Sequence, residues 1–255
     1  MGEHRGEYGY DGSFHTVSAG AQLAVVGIGS AALFAAAGVS VARGWRLAAA
    51  LAAGSAVEIL ATAASYIYAT RSGKFEVWER ILDDLRLRGD ETLLDLGCGR
   101  GAVLLAAAKR LPGGRAIGVD LWRADQTDNS QHATLANAML ENVADRVEVR
   151  TADMTDLPLP DESVDVIVSS LAIHNIPSAD GRRQALDQAV RVLRPGGRLA
   201  IADLWETQHH AAHLRALGWR NVQRRNLGWR MWYGGPWFST RLVTATKPLN
   251  GDGHA

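Results

Sequence analysis

Leu93-Leu94-Asp95-Leu96-Gly97-Cys98-Gly99-Arg100-Gly101 reads as a buried strand that runs into a glycine turn and then a helix. The apolar run has the continuous character of a strand covered on both faces. Three glycines let the backbone turn sharply and approach a ligand without Cβ clashes. The stretch from Ala102 to Leu111 is a strong helix former with an open N-terminus. A turn of this kind accommodates a nucleotide-like cofactor. Its spacing, Gly97-x-Gly99-x-Gly101, departs from the G-x-G-x-x-G dinucleotide fingerprint and so speaks against an NAD-dependent oxidoreductase.

Outward from this turn, strand and helix patterns alternate after Thr70. A helix is expected from about Lys74 to Leu87, then strand Thr92–Leu96, helix Ala102–Leu111, strand Arg115–Asp120, helix Asn129–Asn142 and strand Val147–Thr151. Strand Val164–Ser169, helix Arg182–Leu193, strand Arg198–Ala202 and a late strand Thr240–Thr246 follow. Right-handed crossovers assemble such a chain into an α/β fold with a doubly wound, mostly parallel sheet, whose ligand sits at the carboxyl ends of the strands. Gly97, Asp120, Asp153 and His174 all fall there. Asp120, about twenty residues beyond the turn, is placed to accept hydrogen bonds from both ribose hydroxyls of a nucleotide-like ligand. The alternative is a strand-end aspartate that caps the next turn.

The string hydrophobic-Asp95-x-Gly97-x-Gly99-x-Gly101 resembles the first motif of the class I S-adenosylmethionine-dependent methyltransferases of the ubiquinone/menaquinone C-methylase type. The resemblance runs from about Lys74 to about Lys247. It implies a seven-stranded Rossmann-like sheet and S-adenosyl-L-methionine as cofactor. It assigns Asp95, Gly97, Cys98, Gly99 and Gly101 to the cofactor loop, and Asp120 to the ribose with Leu121 and Trp122 flanking the adenine. It gives Asp153 to the adenine amino group, Met154 to the ring and Ser170 to the passage after the fourth strand. Asp161–Ile167 and Leu193–Leu199 resemble the family's lead into the fourth strand and its turn into the fifth. The implied chemistry is in-line displacement of the sulfonium methyl, for which the protein supplies proximity, alignment and removal of a proton.

For that proton His174 is the general-base candidate, since an unperturbed imidazole with a pKa near 6.5 is available in neutral form at neutral pH. Alternatively it only hydrogen-bonds its loop or shapes the pocket. Asp203, at the end of the fifth strand, is the second catalytic candidate. Asn175 orients a substrate or caps the turn. His209, His210 and His213 lack a further ligand of matching spacing, so no metal is expected. The single cysteine, Cys98, can form no internal disulfide and no multi-cysteine metal or arsenic site. The activity of arsenite methyltransferases, which depend on several cysteines, is therefore not expected.

At 255 residues the chain exceeds one domain of ordinary size, and the excess is N-terminal. We divide it into a tail (1–15), a two-helix membrane hairpin (16–70), the methyltransferase domain (71–248) and a C-terminal tail (249–255). From Thr16 to Ala42 no residue is charged, and the run Leu47 to Thr70 is interrupted only by Glu58. Each run is long enough to span a bilayer core as a helix. Arg43-Gly44-Trp45-Arg46 between them suits a headgroup region. Alanine-rich core helices or an uncleaved signal sequence are the alternatives, though the lead Glu7-Tyr8-Gly9-Tyr10-Asp11 is foreign to a signal peptide. Gly20, Gly27, Gly29 and Gly38 are expected where helices approach, and the hairpin offers a route to a homo-oligomer. Glu58 should be protonated, face the partner helix or approach the catalytic domain.

A cytosolic cofactor places the catalytic domain on the cytoplasmic side of the membrane. Balanced charge, 27 basic against 27 acidic residues, gives no footprint for nucleic acid. The aromatic stretch Gly228–Phe238 falls in the final β-hairpin, as core or as a rest on the membrane interface. Together these features point to a lipophilic small molecule (quinone, phenol, thiol or lipid) as methyl acceptor. A non-catalytic S-adenosylmethionine-binding protein is the rival reading.

Overall fold

The computed structural model describes residues 5–12, 18–123 and 126–249. Residues 16–17 of the expected hairpin, residues 1–4 and 13–15 of the N-terminal tail and residues 250–255 of the C-terminal tail lie outside the described residues. Two helices come first, α1 (Ala19–Ala42) and α2 (Arg46–Tyr68). Ser18 caps α1 by accepting the Ala21 N–H at 3.3 Å. At the usual helical rise α1 is about 36 Å long. By length and composition both helices can cross a membrane.

The two helices pack on one another, and their buried residues are all small: Ser30, Ala37, Ala49 and Ala56. Val25, Ile28, Leu47 and Leu51 remain exposed. The glycines expected at the contact are not there. At Gly20, Gly27, Gly29 and Gly38 no heavy atom lies within 4 Å of where a Cβ would stand, because these residues face away from α2. Alanine and serine permit the close approach instead.

The expected boundary at residue 70 falls inside a continuous rod. A π-turn, Ala69–Gly73, carries α2 directly into α3 (Lys74–Asp84), so helical backbone runs unbroken from Arg46 to Asp84. Gly73 is tolerated there because the Arg230 carbonyl oxygen lies only 1.9 Å from the position of its absent Cβ.

Beyond α3 the elements are β1 (Thr92–Leu96), α4 (Ala102–Ala108), β2 (Arg115–Asp120), α5 (Gln131–Leu140), β3 (Val147–Thr151) and β4 (Val164–Ser170). Then come α6 (Ala179–Val192), β5 (Leu193–Asp203), α7 (Thr207–Ala216), β6 (Gln223–Asn226) and β7 (Arg241–Thr246). The seven strands form one sheet in the order β3-β2-β1-β4-β5-β7-β6, in which β7 runs opposite to the other six. Strand order reverses between the parallel neighbours β1 and β4, which opens a crevice at their carboxyl ends. Leu93 faces one layer of the core with Trp78 and Leu104, and Leu94 faces the other with Ile167 and Leu186. This two-sided burial is why β1 reads as a continuous apolar run. Helix α6 starts earlier than expected because Ser178 accepts the Gly181 N–H at 3.0 Å and caps it. The aromatic stretch after β6 is a loop with two short 3-10 turns rather than strand.

Residues 5–12 are a strap rather than a tail. Tyr8 is buried edge-on against Phe75, and its hydroxyl donates to Glu141 Oε1 at 2.8 Å. The same oxygen accepts the Arg5 and Gly6 N–H groups at 2.9 and 3.0 Å, and Lys109 pairs with Oε2 at 2.6 Å. Burial by itself would raise the Glu141 carboxyl, but Lys109, Tyr8 and the Gly6 N–H hold it down at about 2. Replacement of Glu141 by alanine removes several charge-assisted hydrogen bonds worth about 1.5–3 kcal/mol each. Amide exchange at Gly6 and Glu7 is expected to accelerate at least about tenfold, with core amides unchanged. Unaltered exchange in the strap would contradict this role for Glu141.

Candidate functional site

The turn after β1 is built on left-handed backbone. Gly97, Gly99 and Gly101 have φ of +73°, +49° and +88°, and the Gly97 N–H donates to the Val119 carbonyl at 2.8 Å. A Cβ on Gly97 would stand 2.2 Å from Ala172 Cβ, so glycine is what lets the β1 and β4 loops approach. Asp120 ends β2 with Oδ2 accepting the Gly99 N–H at 2.8 Å and Oδ1 accepting the Trp122 N–H at 2.6 Å. The carboxylate thus fastens the glycine turn to the loop after β2. Trp122, itself left-handed at φ +56°, donates Nε1 to Thr151 Oγ1 at 2.7 Å.

Between these loops and the one after β4 is a cavity of about 140 Å³. Of the residues expected at the cofactor, Asp95, Gly97, Cys98, Gly99, Asp120, Leu121, Asp153, Met154 and Ser170 line it. Gly101 and Trp122 do not, and serve as the helix start and as the flank of the loop. Asp153 Oδ1 accepts the Thr155 N–H and hydroxyl at 2.9 and 2.8 Å, and Ser170 Oγ accepts the Trp78 Nε1–H at 2.9 Å.

Asp95 is the electrostatically unusual member. It is buried, and its Oδ1 has no hydrogen-bond partner. Burial first, and the nearby Asp120 charge second, push its carboxyl up to about 8. A buried carboxyl without a partner is costly unless a donor or a cation completes it. Cys98, buried beside both carboxylates, has its thiol pushed well above the usual range, mainly by burial, so it offers no thiolate.

The strap closes the outer side of this cavity, a feature sequence reasoning missed. Asp11 and Lys74 line the wall and pair at 2.8 Å. Asp11 Oδ2 also accepts the Thr70 and Tyr233 hydroxyls at 3.0 and 2.9 Å, and burial beside Asp11 pushes the Tyr233 phenol up. Gln126 ties strap to glycine turn, accepting the Arg100 N–H at 2.8 Å and donating to the Tyr8 carbonyl at 3.1 Å. The acidic, tyrosine-bearing composition of Glu7–Asp11 was the available signal.

The structure brings His174 and Asp203 together. Asp203 is fully buried; Oδ1 meets His174 Nδ1 and Oδ2 accepts the His174 N–H at 3.0 Å. Neither residue lines the cavity, although their neighbours Ala172 and Asn175 do. The His174 ring instead meets Trp205 edge-on at 5.6 Å, and Trp205 meets Phe238 at 6.3 Å. The histidines weighed as a metal cluster diverge: His210 is buried with burial lowering its pKa, His213 contacts Asp187 at 2.6 Å, and His209 contacts Glu206 at 3.2 Å.

Comparison with known proteins places this geometry. Residues 94–201 match the methyltransferase domain family model. The chain is 38% identical over 118 residues to an arsenite methyltransferase of Halobacterium salinarum, covering 46% of this chain and 28% of that protein. It is 33% identical over 132 residues to a ubiquinone/menaquinone biosynthesis C-methyltransferase of Roseobacter denitrificans, covering 51% of this chain and 50% of that protein. The matches thus span half the length or less of these two relatives. Among solved structures, an S-adenosylmethionine-dependent methyltransferase from Aquifex aeolicus has the same fold, with a TM-score of 0.52 and 22% identity over 66% of this chain and 88% of that one. The Asp95 orphan oxygen, the glycine cradle and the Asp120 carboxylate fit S-adenosylmethionine, whose cationic and hydroxyl groups supply what those atoms lack.

Proposed function

We propose, from the match of residues 94–201 to the methyltransferase domain family model and the fold shared with an S-adenosylmethionine-dependent methyltransferase, that the protein is a membrane-anchored class I S-adenosylmethionine-dependent methyltransferase that methylates a lipophilic small molecule. The single observation that carries the cofactor assignment is the unpartnered, buried Asp95 oxygen in a cavity edged by Asp120 and three left-handed glycines. Asp95 and Asp120 hold and orient the cofactor, Asp153, Met154 and Leu121 frame its adenine with Trp122 bracing the loop from outside the cavity, and the Gly97–Gly101 turn lets it approach the backbone. When bound, the cofactor supplies an electrophilic sulfonium methyl.

The protein's own work is alignment, exclusion of water by the strap, and management of the acceptor's proton. His174, its ring fixed by buried Asp203, is the sequence's general-base candidate, but because neither residue lines the crevice the pair is assigned to shaping the loop after β4. The acceptor's proton falls to the Asp11 carboxylate, which does line it. Trp205 and Phe238 link this pair to the aromatic loop beside the N-terminal helices. Those helices, apolar on their exposed faces, anchor the domain at the cytoplasmic surface of the membrane, with Arg43 lying over the Trp45 ring at the far turn. Glu58 approaches the domain, sharing a cavity with Tyr233 and Phe238.

Cofactor affinity carries a proton signature. Asp95, raised to about 8, is largely protonated at pH 7, whereas a cationic ligand favours its ionised form. Affinity is expected to rise by up to about tenfold per pH unit from pH 6 towards pH 8 and then level off. In calorimetry at pH 7 with buffers of different ionisation enthalpy, binding should release a proton. The free protein has the opposite slope: a carboxyl raised above its unfolded value gains protons on folding, so its contribution to stability falls as pH climbs from about 4 to about 8. Affinity independent of pH across this window would sink the Asp95 assignment.

The activity is tested by incubating the full chain in lipid nanodiscs with methyl-labelled S-adenosylmethionine and a lipid extract. Label entering the organic phase supports a lipophilic acceptor. Label confined to water-soluble product overturns it.

A further inference from the structure

A second cavity, about 450 Å³, lies between the N-terminal helices and the aromatic loop. Its walls are mainly apolar: Leu23 and Val26 from α1, Ile59 and Ile67 from α2, and Phe238. The volume is in the range that holds a small organic ligand. Three separate parts of the chain, the helix pair, the strap and residues 233–238, contribute to its walls.

This cavity shares a thin partition with the cofactor crevice. Tyr10 lines the apolar cavity and the next residue, Asp11, lines the crevice. Tyr66 and Tyr233 line the apolar side and both donate hydroxyls to Asp11, to its carbonyl at 2.6 Å and its Oδ2 at 2.9 Å. The cavity therefore has a polar end, and that end abuts the cofactor site.

We propose that this cavity is the acceptor chamber: it takes an elongated apolar molecule carrying a hydroxyl, with the hydrocarbon between α1 and α2 and the hydroxyl at the Tyr66–Tyr233–Asp11 end. The proposal rests on the methyltransferase reading above and adds where the acceptor sits and what shape it has. A bilayer lipid chain alone is a poor occupant, because the Glu58 carboxyl would then face hydrocarbon without compensation. A molecule with one polar end can donate its hydroxyl to the oxygens of the tyrosine pair, whose own protons go to Asp11, and keeps its chain in the apolar part. Entry from the bilayer follows from the helices that form the walls.

The test uses the full chain in phosphatidylcholine nanodiscs and a diazirine-bearing alkylphenol as photoreactive probe, with labelled peptides mapped by mass spectrometry. Labelling is expected on residues 22–26, 58–67 and 233–238 and is expected to be displaced by excess unlabelled alkylphenol. Ile59→Trp and Ala63→Phe, which fill the chamber, should each reduce labelling by about tenfold while S-adenosylmethionine affinity, read by calorimetry, stays within about twofold. Labelling that is not displaced, or that lies along the outward Ile28, Leu47 and Leu51 face, overturns the chamber, as does full labelling of both filled variants. The two claims separate cleanly. Displaceable chamber labelling without methyl transfer upholds the chamber and rejects the enzyme reading, whereas methyl transfer to the alkylphenol undiminished by filling rejects the chamber alone.

Discussion

Asp120→Ala is expected to weaken S-adenosylmethionine binding by at least about a hundredfold, since two charge-assisted hydrogen bonds to a ribose at roughly 1.5–3 kcal/mol each are lost. The carboxylate has a second task that adds to the effect. It accepts the Gly99 and Trp122 N–H groups, so its removal also releases the glycine turn and the loop after β2 that frame the cavity. Asp120→Asn separates the two contributions: the amide retains one acceptor for the loop but presents a donor where the other oxygen was. It is expected to bind better than the alanine variant and still well below the parent. Binding is read by calorimetry and folding by thermal unfolding. An affinity within about threefold of the parent in a folded Asp120→Ala protein would remove Asp120 from the site.

Gly97→Ala has the other large expected effect, and it acts on the fold as well as the site. At φ +73° an L-residue costs about 1–2 kcal/mol, and the new Cβ would stand 2.2 Å from Ala172 Cβ. Neither atom sits on a flexible side chain, so the β1 and β4 loops must separate, at a further cost of about 1–3 kcal/mol. The sum, roughly 2–5 kcal/mol, corresponds to a fall in Tm of about 5–15 °C. Because the separation widens the crevice where the cofactor lies, binding should weaken in whatever folded protein remains. Gly113→Ala is the control: its nearest neighbour would be the Gly89 carbonyl oxygen at an ordinary 3.5 Å, and its unfolding is expected to match the parent. Equal Tm for the Gly97 and Gly113 variants would contradict the close-approach role of Gly97.

The core of this account was legible in the sequence where local chemistry dictates structure. The apolar run of β1 is continuous because Leu93 and Leu94 face two different core layers, and the glycines after it are needed because all three take left-handed backbone. Position after the turn leads to Asp120, and the family resemblance to Asp153 and Met154; the fold gathers all three on one cavity. What escaped depends on contacts far apart in the chain. The strap has no apolar period, and its position is set by Glu141 and Asn137, more than a hundred residues away. Reading a boundary at residue 70 took a polar stretch for a helix end, whereas Arg71, Ser72 and Gly73 continue the helix as a π-turn against the Arg230 carbonyl. His174 and Asp203 were found as individuals, but their pairing comes only from the parallel register of β4 and β5. The glycines of α1 were misread because small residues mark a close approach only on the face that meets α2.

The most direct test of the central claim, that the Asp95–Asp120 crevice is an S-adenosylmethionine site, is calorimetric titration of the full chain with S-adenosylmethionine and, separately, with NAD. The account predicts a saturable site for S-adenosylmethionine that S-adenosylhomocysteine competes for, and no binding of NAD. Binding of NAD without S-adenosylmethionine, or of neither, would contradict it.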